Sequence, residues 1–223
     1  MAWSWHPVQL SLVVASIATV IVFTFAIISV FWMTEKNVKG RTIIETIVFL
    51  PLVLPPTVIG FLLIMIFGNN SFVGQAISTL HGQTILFTVT AAIIAASVVA
   101  FPLMYQSLKT GFQMVDDNIR GAAKVDGASS WKLLFFITIP LSYRSIATGF
   151  ILSFTRAFGE FGATLMFAGN IPGKTQTIPT AIYLAIESGQ IEIAAYYALI
   201  SIGFSFVLLF LMNGLTRNKQ HKK

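Results

Sequence analysis

The chain has 223 residues and a mass of 24.4 kDa, 56% of them apolar and only 10% charged, with a mean hydropathy of +0.82. A water-soluble domain carries roughly 25% charged residues, so the composition excludes one and describes an integral membrane protein. The absence of cysteine excludes disulfides, thiolate chemistry, iron–sulfur clusters and Cys-ligated zinc, and the formal charge of +6 raises a nucleic-acid partner that only the placement of the basic residues can decide.

A bilayer-crossing helix needs about 20 mostly apolar residues. Five runs reach that length, 8–32, 43–67, 84–108, 145–167 and 191–215, and they read as five spans of one all-α transmembrane domain covering 1–223. The opening MAWSWHPVQL has no basic stretch and the run after it shows no small-residue cleavage pattern, so 8–32 is expected to be a retained span with Trp3 and Trp5 at the interface.

The second run contains Pro51, Pro55 and Pro56. Each removes an amide donor, which lipid tolerates only where the freed carbonyls meet protein or water. The run is either a broken helix that lines a pathway as a gate or a kinked packing helix. The third run is uncharged, with Phe101–Pro102 reading as a kink.

Residues 109–144 form the longest connection and carry Lys109, Arg120, Lys124, Lys132 and Arg144. Asp116 or Asp117 suits a helix N-cap, and Ile119, Ala122 and Ala123 place apolar and small residues on one face, with Arg120 and Lys124 elsewhere. Gly127 suits the helix end, Ser129 or Ser130 a second start, and Pro140 a stop after the apolar run from Trp131 to Ile139. The spacing predicts two short helices around a glycine turn at the membrane surface. This is either a docking surface for another protein or an amphipathic interfacial hairpin.

The fourth run holds Arg156 and, one turn later, Glu160. A charge at bilayer depth costs about 2.5–3.5 kcal/mol on insertion scales, so both must face protein or water. They read either as an internal ion pair that fixes helix packing or as groups beside a pathway for anions. Gly159, Gly162 and Ala163 suit close helix approach, as at a dimer interface.

The next stretch, AGNIPGKT at 168–175, satisfies a permissive phosphate-loop pattern, but it follows a membrane run instead of a buried strand and contains Pro172. It is expected to be an external loop that contacts a substrate-delivery protein. Residues 178–186 are apolar but too short to cross, and predict an external or re-entrant helix.

With five spans, twelve of the fourteen Lys and Arg fall on one side, at 34–41, in 109–144 and after residue 215, while Lys174 alone falls on the other. The positive-inside rule then puts the C-terminus in the cytoplasm and the N-terminus outside the plasma membrane, and explains the net charge without nucleic acid. His6, His81 and His221 are too scattered for a metal site, no cofactor is implied, and the neighbouring carboxylates Asp116 and Asp117 suit a cap better than catalysis, so an enzyme is not expected.

The stretch GAAKVDGASSWKLLFFITIP resembles the signature of ABC-importer permeases: Glu-Ala-Ala, three residues, Gly, nine residues, Ile, any residue, Leu-Pro. Ala122, Ala123, Gly127, Ile137 and Pro140 match in register, Gly121 stands where the family has Glu, and Ile139 where it has Leu. LPLVLPPTVIG at 50–60 and RAFGEFGATLMFAGNIPGKTQTIPTAIY at 156–183 are similar to the permeases of the molybdate, tungstate and sulfate group.

The resemblance implies a type I ABC-importer transmembrane domain in which the segment around Gly121, Ala122, Ala123, Asp126 and Gly127 is a cytoplasmic coupling helix between spans three and four. It implies a homodimer, two ATP-binding cassette subunits, an extracytoplasmic oxyanion-binding protein and surrounding lipid. Molybdate is the first choice of cargo, with tungstate and sulfate as alternatives. The rival from another class is a self-sufficient secondary transporter driven by a gradient through Arg156 and Glu160.

Overall fold

A computed structural model describes residues 3–35 and 39–216, and every regular element within them is helical. Lys36 and the tail residues Arg217, Lys219, Lys222 and Lys223, on which part of the orientation count rests, lie outside the described residues, as does His221. In chain order the helices are α1 (His6–Glu35), α2 (Arg41–Val53), α3 (Pro56–Phe67), α4 (Phe72–His81), α5 (Val89–Gln113), α6 (Asp117–Val125), α7 (Ser130–Leu133), α8 (Ile139–Leu141), α9 (Tyr143–Phe158), α10 (Gly162–Phe167), α11 (Ile178–Glu187) and α12 (Ile191–Thr216), and a π-helical turn, Leu134–Thr138, joins α7 to α8. Among the described residues α1, α5 and α12 are each long and apolar enough to cross a membrane, and two bent pairs, α2 with α3 and the helical stretch Ser130–Leu141 with α9, raise the count to as many as five.

The second and fourth apolar runs are not single helices. In the second, the chain bends by 118° from α2 into α3. A residue that precedes proline is pushed out of the α region, and Leu54 and Pro55 both do so, with ψ of 141° and 138°. The turn therefore lies between Pro51 and Pro56: Pro51 is carried inside α2, and Pro56 takes the first position of α3, where its missing donor is harmless.

In the fourth run α9 stops at Phe158 and α10 restarts at Gly162. Gly159 is a weak helix former, and the Glu160 carboxylate accepts from the Ala163 N–H at 2.8 Å, capping the restart. In the third run α5 begins later than the apolar stretch, at Val89, because Thr88 caps it by accepting from Ala91 N–H at 3.2 Å. Residues 68–83, between the second and third runs, contain α4, capped by Ser71 and closed by Gly82 at φ +68°.

The core is a seam of small residues. Lipid is as apolar as a leucine side chain, so helices in a membrane gain most by close backbone approach. α5 packs most extensively, against α1 on one side and α9 on the other. It presents Ala91, Ala92, Ala95, Ala96 and Ala100, all fully buried, and α1 answers with Ala15, Ala18, Val22, Ala26 and Val30 at spacings of three and four. On α9, Gly149 sits so close to α5 that an added Cβ meets Ser107 Cβ at 2.9 Å.

α3 and α10 form a second seam. A Cβ on Gly60 meets Met166 Cβ at 2.6 Å, and one on Gly162 meets Pro56 Cβ at 2.7 Å. Gly162 thus makes its close approach within the chain. Gly60→Val is expected to cost about 1–3 kcal/mol by overpacking this contact, read as a lowered unfolding midpoint in detergent; an unchanged midpoint would mean that α10 yields freely.

Candidate coupling and translocation site

The connection 109–144 folds as two short helical arms. Asp116 caps α6, its carboxylate accepting from Asn118 N–H at 2.8 Å. Gly127, at φ +83°, closes α6: its N–H donates to Lys124 carbonyl at 3.1 Å and Ala128 N–H to Ala123 carbonyl at 2.9 Å, the paired bonds of a Schellman turn. The second arm starts from Ser129, which accepts from Lys132 N–H at 3.4 Å, and does not stop at Pro140. It continues through the π-helical turn to Leu141, with Pro140 in α8 just after that turn, and the chain then bends by 77° into α9.

α6 buries no residue. Its outward side carries Gly121, Ala122 and Val125, the last 88% exposed, followed by exposed Asp126 and Gly127, while Ala123 is half-buried toward the body. Arg120 does not point away from the body: it turns inward, and its guanidinium donates to the Phe112 carbonyl at the end of α5. A Cβ on Gly121 meets nothing within 4 Å, so this glycine leaves open space where the related signature has a carboxylate. Ile137 is half-buried and Pro140 exposed, both on the second arm. The expected coupling residues therefore divide between two arms. Val125 carries no mark in the sequence because it falls among the three positions between Ala123 and Gly127 that the related signature leaves open.

Arg156 and Glu160 do pair, Nη1 to Oε2 at 2.6 Å. The Glu160 side chain is 2% exposed and Arg156 29%. The bond crosses the break between α9 and α10, since Glu160 stands past the end of α9 and also caps α10. Gly159 closes α9, and a Cβ there meets only Thr155 carbonyl at 3.6 Å, an ordinary contact. One carboxylate thus holds a cation, a helix start and the angle between two helices.

Across the molecule, the stretch 168–175 follows α10, not a strand, and the N–H groups of Lys174, Thr175 and Gln176 all donate to the Ile171 carbonyl. Amides turned inward in this way present no phosphate cradle.

A family model described as "Binding-protein-dependent transport system inner membrane component" matches residues 23–221. The chain belongs to this family.

Its relatives sharpen the assignment. Among them, "Putative molybdenum transport system permease protein YvgM" of Bacillus subtilis (strain 168) is 55% identical, over 92% of this chain and 90% of the relative. "Molybdenum transport system permease protein ModB" of Escherichia coli (strain K12) is 37% identical, over 96% of this chain and 93% of that one. A chain in the crystal structure of a bacterial alginate ABC transporter, in complex with an alginate pentasaccharide-bound periplasmic protein, superposes with a TM-score of 0.75 at 18% identity, over 95% of this chain and 77% of that one. That structure shares the fold. The protein is thus an ABC-importer permease, a multi-pass membrane component and not an enzyme; ATP hydrolysis belongs to partner subunits.

Two features of the permease lay outside the sequence reading. The first is a cavity of ≈ 570 Å³ between the end of α5 and the start of α9, lined by Gln106, Ser107, Thr110, Arg144, Ser145 and Thr148 among others. Its lining comes from α5, α8 and α9, whose mutual registry no local pattern reveals. The second is Glu45, whose Oε1 receives Arg41 Nε at 3.0 Å, Lys109 Nζ at 2.9 Å and the Tyr105 hydroxyl at 3.2 Å. The Arg41–Glu45 spacing of four was visible, while Lys109 and Tyr105 come from α5.

Proposed function

We propose that this permease forms, as a homodimer, the translocation pathway of an ATP-driven importer for a tetrahedral oxyanion, molybdate first and tungstate or sulfate as alternatives. The observation that carries the cargo is the 55% identity to a relative whose name states molybdenum transport, extending over 92% of the chain. Five spans are assigned, α1, the bent pair α2–α3, α5, α9 with α10, and α12, with the N-terminus outside and the C-terminus in the cytoplasm, as the distribution of Lys and Arg favours.

In this reading α6 and the turn at Gly127 form the coupling helix. A helix that buries nothing yet keeps both ends capped is preformed for a partner's groove. Gly121, Ala122, Ala123, Asp126 and Gly127 contact an ATP-binding cassette subunit, and Ile137 and Pro140 set the second arm behind them. An extracytoplasmic oxyanion-binding protein delivers cargo to the opposite face, where the loop 168–175 lies. ATP binding draws two cassette subunits together, the coupling helices follow, and the pathway opens outward; hydrolysis resets it. The bend at Leu54–Pro56, with Pro51 before it, acts as the gate. Arg156 and Glu160, with Gly159 and Gly162 around them, hold the α9–α10 angle beside the path.

The deciding experiment is uptake of labelled molybdate into vesicles holding the permease with its ATPase and binding-protein partners, with omission of each and competition by tungstate and sulfate. Uptake is expected to require ATP and both partners, and molybdate to be displaced better by tungstate than by sulfate. Uptake by the permease alone under an ion gradient would replace this reading with the secondary transporter.

A further inference from the structure

α6 has no buried residue, Val125 on its outer side is exposed, and its neighbours along the chain are turns. Arg120 reaches inward. Its guanidinium donates to the Phe112 carbonyl, and its Nε is closed off from solvent with no partner among the described residues. Around it, a narrow void is lined by Phe31 and Thr34 of α1, Phe112 of α5, and Leu133, Leu134 and Thr138 of the second arm. One side chain therefore reaches from α6 to the ends of two long helices and to the arm that leads into α9.

The chemistry of that contact suits force in both directions. The last carbonyls of a helix lack intrahelical partners and gather partial negative charge, so a guanidinium at the end of α5 is held by a directed bond as well as by charge. Apolar contact resists compression but parts under tension; a charge-assisted hydrogen bond resists both. A planar guanidinium also fixes direction, as a lysine ammonium on its flexible stem does not. Phe112 is 1% exposed and belongs to the helix that packs against both α1 and α9.

We propose that Arg120 is the positioning residue that transmits displacement of α6 to α5, and through α5 to the packed trio of α1, α5 and α9. The proposal rests on the reading of 109–144 as the ATPase-coupling loop. Without Arg120, α6 stays folded through Asp116 and Gly127 and still offers its outer face, but its motion is no longer passed inward.

The test uses the complete transporter in lipid vesicles, with ATP hydrolysis and molybdate uptake measured on the same preparation for the native chain, Arg120→Met and Arg120→Lys. Arg120→Met is expected to retain the ATPase subunit and to hydrolyse ATP within about twofold of the native rate, while molybdate moved per ATP falls about tenfold, with Arg120→Lys in between. Should Arg120→Met fail to reach the membrane, Arg120→Lys decides by the same ratio. Native uptake per ATP in these variants overturns the proposal. Loss of the ATPase subunit from both also overturns it, because Arg120 would then shape the docking face and not the transmission. Uptake by the native chain without any ATPase subunit would instead sink the coupling reading itself.

Discussion

Arg156→Ala is expected to cost about 3–5 kcal/mol of folding stability, because it strands a carboxylate that is 2% exposed. Removing the charge from the other side as well should return most of the loss. In the double variant Arg156→Met with Glu160→Gln, the amide oxygen still accepts from Ala163 N–H, so the cap on α10 survives while no lone charge is left. The unfolding midpoint in detergent of the native chain, Arg156→Met, Glu160→Gln and the double variant gives the coupling between the two residues. Additive losses would mean that the contact at 2.6 Å carries no energy of its own. The same four chains separate structure from transport: a double variant that is as stable as the native chain yet moves no oxyanion would give this pair a role in the pathway.

The second large effect is expected at Val125, where 88% of the side chain is open to solvent on the outer side of α6. Val125→Glu and Val125→Lys change nothing that the chain packs on itself, so membrane insertion and stability should hold within about 0.5 kcal/mol, as for ordinary surface substitutions. Capture of the ATPase subunit on affinity resin should fall at least about tenfold in both, since either charge must be desolvated or the groove left ajar. Gly121→Glu is the internal contrast. It projects into open space and replaces a poor helix former, so capture should be kept or improved. Undiminished capture by both Val125 variants would remove α6 from the docking face.

The architecture was legible where the physics is local. Hydropathy alone marks the long helices, because a span must be uniformly apolar over its length. Asp116, Gly127 and Ser129 announce the ends of the two arms because capping is decided within four residues. The bend in the second run was also written locally, in the two consecutive residues that precede proline, though Pro51 looked equally able to cause it.

What escaped depends on distant partners. Arg120 is a cation on a short helix until Phe112 and the end of α1 are brought beneath it. Glu45 becomes a meeting point only when α5 delivers Lys109 and Tyr105. The break after Phe158 depends on a buried carboxylate folding back as a cap, which the spacing of Arg156 and Glu160 disguised as a regular helical pair. Gly162 was visible as a small residue, but its counterpart, Pro56, lies a hundred positions away.

The alanine stripe that lets α5 approach its neighbours also makes α5 the least apolar of the three long helices. Alanine gains little from lipid, so an unaccompanied α5 is held in the bilayer less firmly than α1 or α12. During synthesis α1 emerges first and offers its own small-residue face before α5 leaves the ribosome, and α9 follows to cover the other side. The order of the genetic message is thus also an order of assembly, in which the central helix arrives second, as the guest of a neighbour already in place.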